Sequence, residues 1–120
     1  MAQLQETLIK LFFDHQIQIK MLHFQTKYYG SHKSLDAYLE KFLNNFDKYM
    51  EVSQGLYGRL KAGSMDFKVN MMDDQTVMKR LNDFLHALAE SRKQMPPDLS
   101  AIVDEMLADT NQLKYLLTFK

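Results

Sequence analysis

Between His32 and Val52 a histidine is followed by four acids, Asp36, Glu40, Asp47 and Glu51, at spacings that a helix gathers onto one edge. At 100° per residue the four carboxylates fall within a sector of about 60°. Leu35, Leu39, Phe42, Leu43, Phe46, Tyr49 and Met50 fill the adjoining, broader sector. The acids therefore border an apolar stripe. Two kinds of chemistry fit such an edge. Most helices simply solvate it. The alternative is a metal site, because His32 with Asp36, and Asp47 with Glu51, stand one turn apart and can each face an ion. Asp36 and Asp47 are separated by about 16 Å along the axis, too far for one ion whose ligands lie about 2 Å away. A second copy, packed antiparallel about a two-fold axis, removes the obstacle: it sets His32 and Asp36 of one chain beside Asp47 and Glu51 of the other, twice over.

Other constellations point to structure rather than chemistry. His15 sits mid-way along the apolar face of the first helical segment and reads as a core histidine. Asp83, His86 and Glu90 project opposite an apolar face and read as solvated. Phosphate-cradling glycine loops, a nucleophile elbow and an H-E-x-x-H helix are absent from the sequence. The nine methionines fall at helical core spacing, where methionine fills gaps.

The elements that must position these residues are helical; no segment alternates as a strand. The first helix is expected over about Gln3–Gln25. It carries one apolar face of Leu4, Leu8, Leu11, Phe12, His15, Ile19 and Leu22, and a separate stripe of Phe13, Ile17, Met21 and Phe24. One stripe suffices for a monomer's core, so the second implies a partner surface. Gly30 and Ser31 mark a turn before the longest helix, about His32–Lys61. The aperiodic stretch Ala62–Asp73 leads, through a cap at Asp73 or Asp74, to a third helix over about Gln75–Lys93. Pro97 opens the fourth. The connections are thus short, long, short. A twelve-residue linker reaches about 40 Å, enough to return along a helix, which suits an all-α, ferritin-like four-helix bundle with a long crossover between helices 2 and 3. One domain, residues 1–120, accounts for the chain.

Composition narrows the function classes. Fifteen basic and fifteen acidic residues cancel, which argues against a surface built chiefly for nucleic acid or anionic membrane. DNA binding is therefore expected to be weak or absent. No apolar run spans a bilayer, and the first residues lack the basic-then-apolar pattern of a signal peptide. There are no cysteines, hence no disulfide or thiolate chemistry, which fits the cytoplasm.

His23, His32, Asp36, Asp47 and Glu51 together resemble the inter-subunit ferroxidase ligands of the Dps family, the miniferritins. The steps from His32 to Asp36, Asp47 and Glu51 match that family's spacing, and LHFQTKYYGSH looks like its first-helix histidine, turn and second histidine. The resemblance covers about Lys20–Glu51. It implies iron, Fe(II) or Fe(III), held as one or two ions by the five residues at a homodimer interface of helices 1 and 2, with the dimers closing into a larger shell. Phe24 stands where the family usually has Trp, the turn is shorter, Val52 replaces a common arginine, and the lysine-rich tail is absent. The chain also resembles short helical proteins of viruses and phages, which would place it in host cytoplasm. Two functional readings follow: an iron-oxidising and iron-storing protein, and a non-catalytic helical assembly or interaction protein that keeps the fold and binds no metal.

Overall fold

The computed structural model describes residues 2–61 and 63–119, and side chains from Gln5 onward. Leu4, expected on the first helix's core face, and Ala62, expected to open the linker, lie outside the described side chains. Four helices and no strand are present among the described residues: α1 (Ala2–Gln25), α2 (Tyr29–Tyr57), α3 (Val77–Arg92) and α4 (Pro97–Leu116).

Helix boundaries follow local chemistry. α2 begins three residues earlier than its sequence suggests, so Gly30 lies in its first turn instead of forming the turn. A Cβ at Gly30 would stand 3.2 Å from the Phe119 carbonyl oxygen, so the glycine permits a close approach of α2 to the chain beyond α4. α2 stops at Tyr57 because Gly58 takes φ +94° and donates its N–H to the Gln54 carbonyl at 2.8 Å. Before α3, the Asp73 carboxylate accepts from the Gln75 and Thr76 amides and from the Thr76 hydroxyl, which in turn accepts from the Asp73 amide. These bonds, the Thr76 amide foremost, hold the exposed Asp73 carboxyl below its usual range. The Val77 amide also bonds the Asp73 carbonyl at 2.9 Å, so Asp73 caps the turn that leads into α3.

Contacts along the helices fix their directions. Phe12 meets Phe46 and Tyr49 while His23 meets His32, so α1 and α2 are antiparallel. Lys41 bonds Gln112 and Asn45 bonds Asp109, so α2 and α4 are antiparallel. Arg92 pairs bidentately with Asp104 across the tight α3–α4 turn. α2 and α3 therefore run parallel, joined by the long connection 58–76. The core is the inward stripe of each helix: Leu8, Phe12 and Ile19; Leu35, Phe42 and Phe46; Leu81, Phe84 and Leu88; Leu99, Val103 and Met106, all buried.

The long connection is pinned where it ends. Asp74 accepts the Thr26 hydroxyl at 2.5 Å and the Lys27 amide at 3.0 Å, tying the start of α3 to the α1–α2 turn. Asp74→Ala removes two charge-assisted bonds at a half-buried site and should cost about 1–2 kcal/mol in urea unfolding. An unchanged midpoint would show that the corner is held by packing alone.

Candidate functional site

The five sequence-derived ligand candidates divide into two groups. His23, at the end of α1, is buried and His32, in the first turn of α2, is half-buried. Their rings stack with centroids 4.0 Å apart and planes 16° apart. The His23 Nδ1 lies 2.9 Å from the His32 carbonyl oxygen, and the His32 Nδ1 lies 2.8 Å from the His23 carbonyl oxygen. A carbonyl only accepts, so both Nδ1 atoms carry hydrogen and both Nε2 atoms present lone pairs in the neutral rings. This reciprocal clamp closes the α1–α2 turn and brings two of the five donors into contact.

Asp36, Asp47 and Glu51 are exposed on the outer face of α2. Among the described residues no group of three or more His, Asp or Glu could hold a metal ion. Within one chain, then, the histidines could offer two nitrogen donors, and among the described residues no third ligand joins them. Asp83, His86 and Glu90 are exposed as expected, with Asp83 paired to Lys79 and Glu90 to Lys93.

The second stripe of α1 is open. Phe13, Ile17, Met21 and Phe24 are 40%, 39%, 38% and 68% exposed. Phe13 packs edge-on against Phe46 of α2 and Phe67 of the long connection, with centroids 4.9 and 5.7 Å away. Leu43 and Met50 of α2 are half-buried against the core. The acids border this face on α2, and Lys20 caps the Phe24 ring at 5.1 Å.

A polar thread through the core could not be read from periodicity. The Thr110 hydroxyl donates to the Met106 carbonyl at 2.7 Å, so its oxygen accepts the Tyr38 hydroxyl at 2.8 Å. Tyr38, its hydrogen committed, accepts from the His15 Nε2–H at 2.7 Å. His15 also stacks on Phe84, centroids 3.6 Å apart. Burial pushes its pKa down to about 3 and raises that of Tyr38. His15 is thus the satisfied core histidine its position implied. The only signal for its partners was the lone polar threonine on the apolar face of α4. Beside it, Leu11, Asp14, Gln18, Arg80 and Asp83 line a cleft of about 170 Å³ between α1 and α3. There the Asp14 Oδ1 is buried without a hydrogen-bond partner among the described residues.

The fold and these sites define a small four-helix protein with an internal polar thread and an uncovered apolar face. The chain belongs to a family of unknown function, DUF5856, which matches residues 23–117. It is also similar to an uncharacterized 14.6 kDa protein encoded in the mobD-ri intergenic region of Enterobacteria phage T4, 29% identical over 98 residues, which cover 82% of this chain and 75% of that protein. No solved structure matches the chain.

These findings correct the resemblance to the Dps miniferritins and, with it, the ferritin-like, iron-binding and ferroxidase assignment. The matched family is a different one, and its span includes all five candidate ligands. The spacing of His32, Asp36, Asp47 and Glu51 is also what any solvated helix edge yields when its polar positions recur every three to four residues. Among the described residues no helix is long and apolar enough to cross a membrane.

Proposed function

We propose that this protein is a non-catalytic helical assembly protein that pairs with a second copy through the α1–α2 face. The observation that carries this reading is the row of four large apolar side chains left open along α1. Their exposed fractions amount to about two whole side chains per copy. Burying them in a symmetric pair contributes roughly 6–11 kcal/mol, against an association cost of about 4–15 kcal/mol. The stripe alone thus about balances the cost, and the flanking residues decide the outcome. Lys20 on α1 and the acids Asp36, Asp47 and Glu51 on α2 supply opposite charges on the two halves of one face, which suits an antiparallel two-fold pairing of α1 against α2. In this reading His23, His32 and the three acids form the polar rim of the interface.

Sedimentation velocity tests the proposal. A dimer dissociating in the micromolar range is expected, and Ile17→Asp should give a monomer with an unchanged helical spectrum, because Ile17 lies outside the core. A wild-type monomer at high micromolar concentration would remove the α1–α2 interface.

A further inference from the structure

The zero net charge conceals a local asymmetry. Residues 15–35 contain three lysines and no acid, and residues 110–119 contain Lys114 and no acid. The fold brings these two stretches together at one end of the bundle, where the Phe119 carbonyl approaches Gly30. The acids that the long connection brings to this end, Asp73 and Asp74, are already engaged with Gln75, Thr76, Thr26 and the Lys27 amide. Among the described residues no carboxylate lies within ion-pair distance of Lys27, Lys33 or Lys114.

Aromatic rings open to solvent at the same corner. Tyr29 is 74%, Tyr115 63% and Phe119 56% exposed. Tyr115 and Phe119 meet edge to face at 5.2 Å. Tyr29 extends the His23–His32 stack, its ring 6.2 Å from that of His32 and 23° from coplanar. The Lys33 ammonium lies 5.8 Å from the Tyr29 centroid. A ring ladder with an open end, next to lysines without acid partners, offers a face on which a base can stack and cations for the phosphates beside it.

We propose that this end of the bundle binds single-stranded nucleic acid, with Tyr29, Tyr115 and Phe119 stacking on bases and Lys27, Lys33 and Lys114 meeting phosphates. A duplex hides its base faces, so the rings select single strands. With about three phosphates neutralised, log affinity should fall with log salt at a slope of about −2, so binding is strong only at low salt. The surface meets the α1 stripe at Phe24, whose ring lies 5.4 Å from that of His23, but its stacking rings lie outside the stripe, so Ile17→Asp should leave it intact.

Fluorescence anisotropy with labelled oligothymidylate at low salt tests the proposal. Tyr29→Ala with Tyr115→Ala removes two stacks and should weaken binding at least roughly 30-fold at unchanged helical content. Lys27→Gln with Lys33→Gln should bring the salt slope closer to zero by about 1.4. The proposal is overturned if the wild-type protein does not bind at low salt, if the aromatic variant binds equally well, or if a duplex of the same length binds as tightly. Binding to phosphatidylglycerol vesicles without binding to the oligonucleotide would overturn it in favour of a lipid surface.

Discussion

Phe12→Ala should cost about 3–5 kcal/mol and lower the melting temperature by on the order of 10–20 °C. Phe12 is wholly buried and is the hub of the α1–α2 contact. Its ring stands 5.2 Å from those of Phe46 and Tyr49 and 6.0 Å from Phe42, edge-on or tilted to each. Removing it strips three aromatic contacts at once and leaves a void that three rigid rings cannot collapse into. Burial raises the pKa of Tyr49 beside it to about 12, as expected of a phenol kept from water at the same place. Thermal unfolding followed by circular dichroism gives the value, since the chain has no tryptophan. A loss below about 1 kcal/mol would mean that the cluster is loosely packed and that the bundle relies on α2–α4 contacts instead.

Phe12 also shows what the sequence made legible. Its place on the α1 face follows from spacing alone, as do Leu8, Ile19 and Leu22, because a 3.6-residue period has one inward solution once the helix is granted. The second stripe was legible for the same reason: Phe13, Ile17, Met21 and Phe24 cannot share that inward face. The helix ends were less so. Gly30 looked like a turn, because glycine marks both turns and close backbone approaches, and only the position of Phe119 distinguishes them. The acidic edge is legible in place but not in meaning. Asp36, Asp47 and Glu51 stand on the outer edge of α2 as their spacing requires, but spacing cannot separate a ligand row from a solvated one. Family membership, rather than geometry, overturned the Dps resemblance. The Tyr38–Thr110 contact spans 72 positions of chain, and no local pattern encodes it.

That contact anchors the second large effect, a loss of stability in acid that originates at His15. The folded protein holds His15 neutral, its pKa pushed by burial from 6.5 to about 3, while the unfolded chain takes up a proton near the ordinary value of about 6.5. Above pH 6.5 neither state is protonated at this residue, and stability does not depend on it. As pH falls from about 6.5 to about 3, the unfolded state gains a proton that the folded state refuses. Stability should therefore fall by about 1.4 kcal/mol per pH unit, levelling below pH 3 where both states are protonated. The lowered carboxyls of Asp73 and Asp104 act in the same direction, but only near and below 3.8 and at exposed positions, so the interval between pH 6 and 4.5 isolates the histidine from them. Asp14, Asp83 and Arg80 line the cleft beside His15, yet burial alone accounts for its shift. His15→Gln should be less stable at neutral pH, because the stacking on Phe84 is lost, but it has no ring to protonate. Urea unfolding of both proteins at half-unit steps across that interval should show the wild-type slope exceeding that of the variant by about 1.4 kcal/mol per unit. Equal slopes would mean that the folded protein accommodates the imidazolium, with the hydrogen-bonded thread to Thr110 rearranged around it.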